Sequence, residues 1–432
     1  MLDIQLIRRD PDYVAKALAK RGFEADFAAF LQADEKRRKL LTETEQMKAK
    51  RNKLSATVPQ LKKAGEDASE VLSELKTLSQ TIKERDEEIV AMDEEQKEFL
   101  AGLPNIPAED VPAGGKENNQ VEKVWGEKRE FDFKPQHHVD IAERLGIIDY
   151  TRGAKLSGYG FWIYRGDGAR LEWAILNYFI ETHLRDNYEM MLVPHILNQA
   201  SGFTAGQFPK FKEDVYWLAA PEGTPEQNRQ FILPTAETAL VNIYRDEILE
   251  EKDLPRKFFA YSPCYRREAG SHRAEERGMI RGHQFNKVEI FQYTTPEQSP
   301  AAFEEMVRKA CELVEGLGLH YRLSRLAAGD CSASMAKTWD IEVWIPSMNG
   351  YKEVSSASNA RDYQARRGNM RYRRSDDGKL EFMHTLNASG LATSRILPAI
   401  LEQNQQEDGT VVIPEVLRKY MGGQEVLKPR EA

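Results

Sequence analysis

Tyr265-Arg266-Arg267-Glu268-Ala269-Gly270-Ser271, followed by Arg281-Gly282-His283-Gln284-Phe285-Asn286-Lys287-Val288-Glu289, decides how this chain is read. The two stretches set arginines, carboxylates and one aromatic ring around an apolar strand pattern that continues through Ile290 and Gln292-Tyr293. A strand–loop–strand of this composition can grip a nucleotide triphosphate. Arg266 suits phosphate as a fork, Glu268 the edge of the base, Phe285 the purine face, and Glu289 a small cation. Arg267 reads as a solvent-facing companion, and the polar loop 270–278 as a mobile cover.

Three other stretches offer matching chemistry. Pro234-Thr235-Ala236-Glu237 brings a hydroxyl and a carboxylate of the kind that holds an ammonium group, although a helix N-cap with an acidic first turn has the same signature. Trp339–Pro346 alternates as a strand and leads into Tyr351-Lys352-Glu353-Val354-Ser355-Ser356. Glu353 and Ser356 are hard oxygen donors that suit Mg²⁺ beside phosphate; a strand ending in a hydroxyl-capped turn is the alternative. His384-Thr385-Leu386-Asn387-Ala388-Ser389-Gly390 reads as a strand ending at Asn387 and Ser389, a turn at Gly390, and a helix carrying Arg395 near its start. A guanidinium at a helix N-terminus makes a positive corner for a phosphate.

The remainder of the chain frames these stretches. At 432 residues it suits two or three domains. Its 41% apolar and 30% charged residues are those of a globular protein, and no apolar run approaches the ~18–20 residues of a membrane span. Met1-Leu2-Asp3-Ile4 lacks the basic-then-apolar plan of a signal peptide. Cys264, Cys311 and Cys331 are odd in number and far apart, so reduced thiols and a cytoplasmic setting are expected. The net charge of −8 argues against a general nucleic-acid binder, but residues 34–63 hold ten Lys/Arg and four Asp/Glu, while residues 66–98 hold four and twelve. Leu40, Thr44, Met47, Arg51, Leu54, Val58 and Leu61 repeat at coiled-coil spacing, as do Leu75, Leu78, Ile82, Arg85, Ile89, Met92, Gln96 and Phe99. With Gly65 as the tip, the two runs predict an antiparallel hairpin of roughly 25–30 residues per limb, an arm about 40 Å long. Its charges either satisfy one another or meet phosphate. Leu103–Gly115, rich in proline and glycine, reads as a linker, and residues 120–432 alternate helix and strand signals.

Taken in order behind such an arm, the four stretches resemble the class II aminoacyl-tRNA synthetases, and specifically the seryl family of bacterial type. The helix from Leu171 to about Asn187 and the strand Met190–Pro194 are similar to that class's first motif, where two subunits meet. The resemblance implies an α+β fold: a class II antiparallel β-sheet flanked by helices, behind an N-terminal two-helix coiled-coil arm (about 30–100). It implies a tRNA-binding domain over 1–102, a linker over 103–119 and an aminoacylation domain over 120–432. It further implies activation of L-serine with ATP and Mg²⁺, and transfer to the 3′ end of serine tRNA, with selenocysteine tRNA a second candidate. A homodimer and no membrane attachment follow from the same likeness.

Carried onto this sequence, the resemblance puts Arg266, Arg267, Glu268, Phe285, Glu353, Val354, Ser355, Ser356 and Arg395 at ATP, with Arg266 and Arg395 as the catalytic pair. Thr235, Ala236, Glu237, Arg266, Glu289, Asn387 and Ser389 belong to serine, Glu353 and Ser356 to Mg²⁺, and Lys48, Arg51, Lys53, Lys62 and Lys63 to tRNA. The loop 270–278 would lie over the nucleotide and touch the acceptor end. Three departures stand out: the enlarged loop 218–229, the stretch Asp330-Cys331-Ser332-Ala333-Ser334, and the large side chain of Arg267. An RNA-binding relative with a dead catalytic domain should have lost Arg266, Glu353 or Arg395, and a ligase acting on a carrier protein should lack the basic arm.

Overall fold

The computed structural model describes residues 1–268 and 278–429. Most of the polar loop 270–278 therefore lies outside the described residues. The chain forms two compact units, one of residues 2–19 and 23–104, the other of Asn105 onward with Met1 and residues 20–22.

In the first unit, α1 (Ile4–Arg9) and α2 (Pro11–Ala19) precede two long helices, α3 (Ala28–Ala64) and α4 (Ser69–Gly102). Ion pairs fix their antiparallel sense: near the start of α3, Lys36 pairs with Glu88 at 3.0 Å and Arg37 with Asp93, and farther along it Lys48 pairs with Asp86 at 2.9 Å and Lys50 with Glu74 at 2.7 Å, nearer the start of α4. Leu40, Thr44, Ile82 and Ile89 of the expected seam are buried. Gly65 ends α3 at φ 75°, a left-handed cap that glycine adopts without strain. The limbs hold 37 and 34 residues, so the longer spans about 55 Å rather than the expected 40 Å. Helical hydrogen bonding continues beyond the ends of the repeat, where residues outside the seam support it. Near the base, Asp34 is buried and accepts from Arg8 at 2.6 Å, Gln96 at 2.9 Å and Arg38 at 3.1 Å. Against the opposing effect of burial, these donors hold its carboxyl below the usual range. Phe99, expected in the seam, instead stacks on Phe30 at 4.5 Å, and Leu100 takes the buried place.

The second unit is built on eight strands: β1 (Gln120–Trp125), β2 (Glu189–Met191), β3 (Arg256–Tyr265), β4 (Gln284–Thr294), β5 (Tyr321–Arg325), β6 (Lys337–Ile345), β7 (Gly350–Arg361) and β8 (His384–Ala392). They lie in the order β1-β5-β6-β7-β8-β4-β3-β2, antiparallel except for the β2–β3 pair. Helices α5 (Asp167–Arg185), α6 (Ser299–Gly316) and α7 (Thr393–Gln403) share one apolar core with the sheet. Strand alternation sorts the two faces. Val288, Ile290, Ile341, Val343, Leu386 and Ala388 enter that core, while Lys287, Glu289, Asp340, Glu342, Asn387 and Ser389 fall on the other face.

Three expectations change. The stretch read as a linker packs within this unit: Asn105 is buried and donates to the carbonyls of Ser334 (2.9 Å) and Ala360 (2.8 Å), and Ile106 and Val111 are buried too. Strand β2 stops at Met191, before Pro194. Gly390 makes no turn, since β8 runs on to Ala392. Glycine is needed there because an added Cβ would come within 2.3 Å of the His183 ring.

Candidate active site

A β-bulge builds one wall of the site. Between β6 and β7, Ile341 faces Ser355 and Glu342 faces Glu353, which leaves Val354 without an opposite residue. The slip turns Glu353 and Ser356 to the same face, although they are three residues apart on a strand. Ser356 Oγ lies 3.1 Å from Glu353 Oε1 and donates to Asp340 Oδ1 at 2.6 Å. Burial, with the Glu353 carboxylate beside it, pushes the Asp340 carboxyl well above the usual range. Glu353 goes the other way: against burial, the Arg395 guanidinium holds it low. Arg395 extends from the first turn of α7 and donates from Nη1 to the Glu353 carbonyl at 2.7 Å and from Nε to the Ile280 carbonyl at 3.2 Å.

Strands β3 and β4 supply the opposite wall. Arg266 follows β3, donates to the Pro234 carbonyl at 3.4 Å and sets its guanidinium over the Phe285 ring, 5.2 Å from the centroid. Phe285, Lys287 and Glu289 alternate along one face of β4. Lys287 is 5% exposed; its ammonium donates to Thr235 Oγ1 at 2.7 Å and pairs with Glu289. Asn387 of β8 donates to the other Glu289 oxygen at 3.2 Å. Glu237, in the short helix Glu237–Leu240, accepts from Gln364 at 2.9 Å. Burial and the nearby Glu289 charge push its carboxyl up to about 7.

Thr235, Glu237, Arg266, Glu268, Lys287, Glu289, Glu353, Ser356, Asn387 and Ser389 thus open onto one cavity of about 490 Å³. A larger cavity, about 840 Å³, lies beside α6 and contains none of them. A space of the smaller size, lined by the carboxylates of Asp214, Glu237, Glu268, Glu289 and Glu353 and by the cations of Arg266 and Lys287, suits a zwitterion beside a polyphosphate.

Comparison with known proteins agrees. Residues 1–107 match the model of the seryl-tRNA synthetase N-terminal domain, and residues 216–404 that of the class II tRNA synthetase core domain shared by the G, H, P, S and T enzymes. Serine–tRNA ligase 2 of Clostridium acetobutylicum is 60% identical over 424 residues, covering 98% of this chain and 99% of that protein. The chain belongs to the seryl-tRNA synthetase family. Serine–tRNA ligase of Syntrophomonas wolfei is 45% identical over the full length of both chains. The crystal structure of seryl-tRNA synthetase from Pyrococcus horikoshii, complexed with ATP, superposes with a TM-score of 0.90 at 34% identity, covering all of both chains. A prolyl-tRNA synthetase from Giardia lamblia, at 16% identity and a TM-score of 0.57 over 65% of this chain and 53% of that one, shares the fold.

Within this family member, not every expected residue reaches the cavity. Arg267 is exposed, engaged through its main-chain N–H with the Asp214 carbonyl at 2.9 Å. Ala236 and Val354 turn into apolar clusters, and Ser355 donates its hydroxyl to the Ser389 carbonyl at 2.6 Å. Phe285 and Arg395 are not among the cavity's lining residues but adjoin two that are, Arg266 and Glu353. Glu268 lines the cavity but is ion-paired with Arg281, and its φ of 49° is rare for a residue with a side chain. Loop 218–229 stays outside the cavity, whereas Ser332 and Ser334 line it. In the helical unit, Lys48 pairs with Asp86 and Glu45, and Arg51 donates to Asn52 at 3.3 Å. Lys53, Lys62 and Lys63 are exposed and have no ion pair among the described residues. Lys287 and Asp340 were not anticipated. Alternation between Phe285 and Glu289 points to Lys287, and alternation with Glu342 points to Asp340.

Proposed function

We propose that this chain activates L-serine with ATP to give seryl-adenylate and transfers the seryl group to the 3′ end of serine tRNA. The observation that carries the reading is the shared cavity of Arg266, the Glu353–Ser356 oxygens and the Thr235, Glu237 and Glu289 set. The serine ammonium fits among Thr235, Glu237 and Glu289, and its hydroxyl toward Asn387 and Ser389. Its carboxylate then attacks the α-phosphorus in line, the bond to the bridging oxygen of the β-phosphate breaks, and pyrophosphate leaves. Arg266 neutralises the α-phosphate and Arg395 the γ-phosphate, while Phe285 backs the adenine and Glu268, once freed from Arg281, meets its amino edge. The terminal tRNA hydroxyl next attacks the carbonyl carbon, and AMP departs. Rate enhancement comes from positioning and charge neutralisation.

Glu353 and Ser356 would hold Mg²⁺. They are hard oxygen donors within hydrogen-bond reach of each other and of Asp340, the donor chemistry that this ion takes alongside phosphate oxygens. Bound there, the ion supplies neutralisation of the triphosphate.

The helical unit (1–102) is proposed as the tRNA reader, through backbone and shape, and residues 120–432 as the catalytic domain. Trp173 and Leu184 on α5 and Leu192 after β2 are 52%, 51% and 81% exposed, which supports a homodimer built on this helix–strand pair. Cys264, Cys311 and Cys331 are all free, as suits the cytoplasm, and no helix among the described residues is long and apolar enough to cross a membrane.

ATP–pyrophosphate exchange with serine, threonine, alanine and glycine tests the proposal. Exchange with serine is expected to exceed the others by at least about tenfold, since one methyl in a permissive pocket is worth ~1–3 kcal/mol. No exchange with serine would falsify it.

A further inference from the structure

Glu172 sits on α5, away from the cavity, and is 3% exposed. One of its oxygens, Oε1, accepts two hydrogen bonds: from Asn286 Nδ2 at 2.7 Å and from Thr393 Oγ1 at 2.6 Å. Asn286 lies on β4 between Phe285 and Lys287. Thr393 opens α7, two residues before Arg395. A single buried oxygen therefore ties together the strand that carries the ring behind Arg266 and the helix that carries the Arg395 guanidinium. The clamp is tight at its far end as well, since the side-chain oxygen Oδ1 of Asn286 accepts from the Tyr261 hydroxyl at 3.1 Å. A buried acidic side chain costs stability unless its hydrogen bonds recover the loss. Hydrogen bonds of this geometry fix both elements to one point, and a site works only when its supporting groups hold it to within fractions of an ångström.

We infer that Glu172 is a positioning residue for the ATP half of the site: it sets Phe285 and Arg395 relative to each other and leaves the serine half untouched. The inference rests on the synthetase reading above. Phe285 and Arg395 both belong to ATP in that reading. Among the described residues, no hydrogen bond or ion pair joins Glu172 to Thr235, Glu237 or Glu289, whereas it bonds Asn286 and Thr393.

Steady-state exchange on the full chain separates the two halves. Glu172→Ala removes the shared acceptor; KM for ATP is expected to rise roughly tenfold, with KM for serine within about twofold of wild type. Glu172→Gln keeps an acceptor oxygen in place and restores KM for ATP to near the wild-type value. Thr393→Val, which deletes only the hydroxyl, raises KM for ATP by itself. The Thr393 hydroxyl also lies 3.2 Å from the Asn286 main-chain oxygen, so Thr393→Val combined with Glu172→Ala adds something, but less than the product of the single effects, because the two share the Glu172 contact. Circular dichroism melting of each variant measures folding separately, and should Glu172→Ala fail to fold, Thr393→Val carries the test alone. Equal rises in both KM values, no rise in KM for ATP, or full additivity would overturn the inference. Absence of exchange in the wild-type protein would instead refute the synthetase reading itself.

Discussion

Arg395 donates from Nη1 to the main-chain carbonyl of Glu353 at 2.7 Å, and the same nitrogen lies 3.5 Å from the Glu353 carboxylate. That contact joins the helix bearing the second arginine to the strand bearing the proposed metal ligands. It also pre-sets the guanidinium: two of its bonds go to fixed carbonyls, at Glu353 and Ile280, before any phosphate arrives. Arg395→Lys keeps the charge but loses the fork that reaches both carbonyls. Exchange is expected to fall by roughly 10²–10³-fold in Arg395→Ala and by nearly as much in Arg395→Lys, read as kcat/KM for ATP. A lysine variant close to wild type would mean that charge alone suffices at this position.

Glu237 gives the serine half a pH dependence. Burial and the Glu289 charge raise its carboxyl to about 7, so the free protein keeps this group protonated in mild acid. The serine ammonium prefers the carboxylate. KM for serine should therefore fall by about tenfold as pH rises from roughly 6 to 8, and Glu237→Gln should flatten the profile while weakening binding throughout. The stability effect has the opposite sense. Between the unfolded value near 4.5 and the folded value near 7, the folded chain retains a proton that the unfolded chain releases, so this group's contribution falls with rising pH across that window and is constant above it. The difference in denaturation midpoint between wild type and Glu237→Gln, measured at pH 5 and pH 7.5, should shift accordingly.

Much of this site was legible in residue types, and its misses have physical causes. Glu289, Asn387 and Ser389 line the cavity expected from their motifs because β alternation carries side-chain direction in the sequence itself, whereas Arg266 and Glu268 reach it from the segment just past the end of β3. The same alternation reaches Lys287. The pairing of Glu353 with Ser356 was expected from chemistry, but strand geometry alone would put them on opposite faces; the bulge at Val354 unites them, and Val354 has no sequence signal that marks a bulge. In the sequence Gly390 points to a turn, because glycine's usual reason is a left-handed backbone. Its reason here is the His183 ring, a contact made across 207 residues. The linker reading failed similarly, since proline and glycine mark irregular backbone equally well whether it is free or packed. Arm length was underestimated because a seam repeat reports where two helices touch, not where each one ends.

Asp340 orients the Ser356 hydroxyl hydrogen toward itself, 2.6 Å away, so that the hydroxyl lone pairs are left for a cation. Losing a partner of that kind commonly lowers metal affinity by roughly 10–100-fold. Ser356→Ala and Asp340→Asn should each shift the Mg²⁺ concentration for half-maximal exchange upward by about tenfold or more while leaving the rate at saturating Mg²⁺ within a fewfold of wild type. Chelation with EDTA should abolish exchange in all three proteins. If the Mg²⁺ curves of both variants overlay the wild type, the perch is elsewhere.

The helical unit separates paired from unpaired cations, and the separation is measurable. Lys48 is engaged by Asp86 at 2.9 Å and Glu45 at 3.1 Å, whereas Lys53, Lys62 and Lys63 have no such partner among the described residues. A lysine already neutralised releases fewer counterions when RNA docks. The triple change Lys53→Ala, Lys62→Ala, Lys63→Ala should therefore raise KM for serine tRNA and reduce the slope of log affinity against log salt by about 2–3. Lys48→Ala should change that slope by much less than one unit per charge removed. Neither change should alter ATP–pyrophosphate exchange, and deleting residues 40–95 should abolish charging while sparing exchange. A triple variant with an unchanged salt slope would assign RNA contact to another surface.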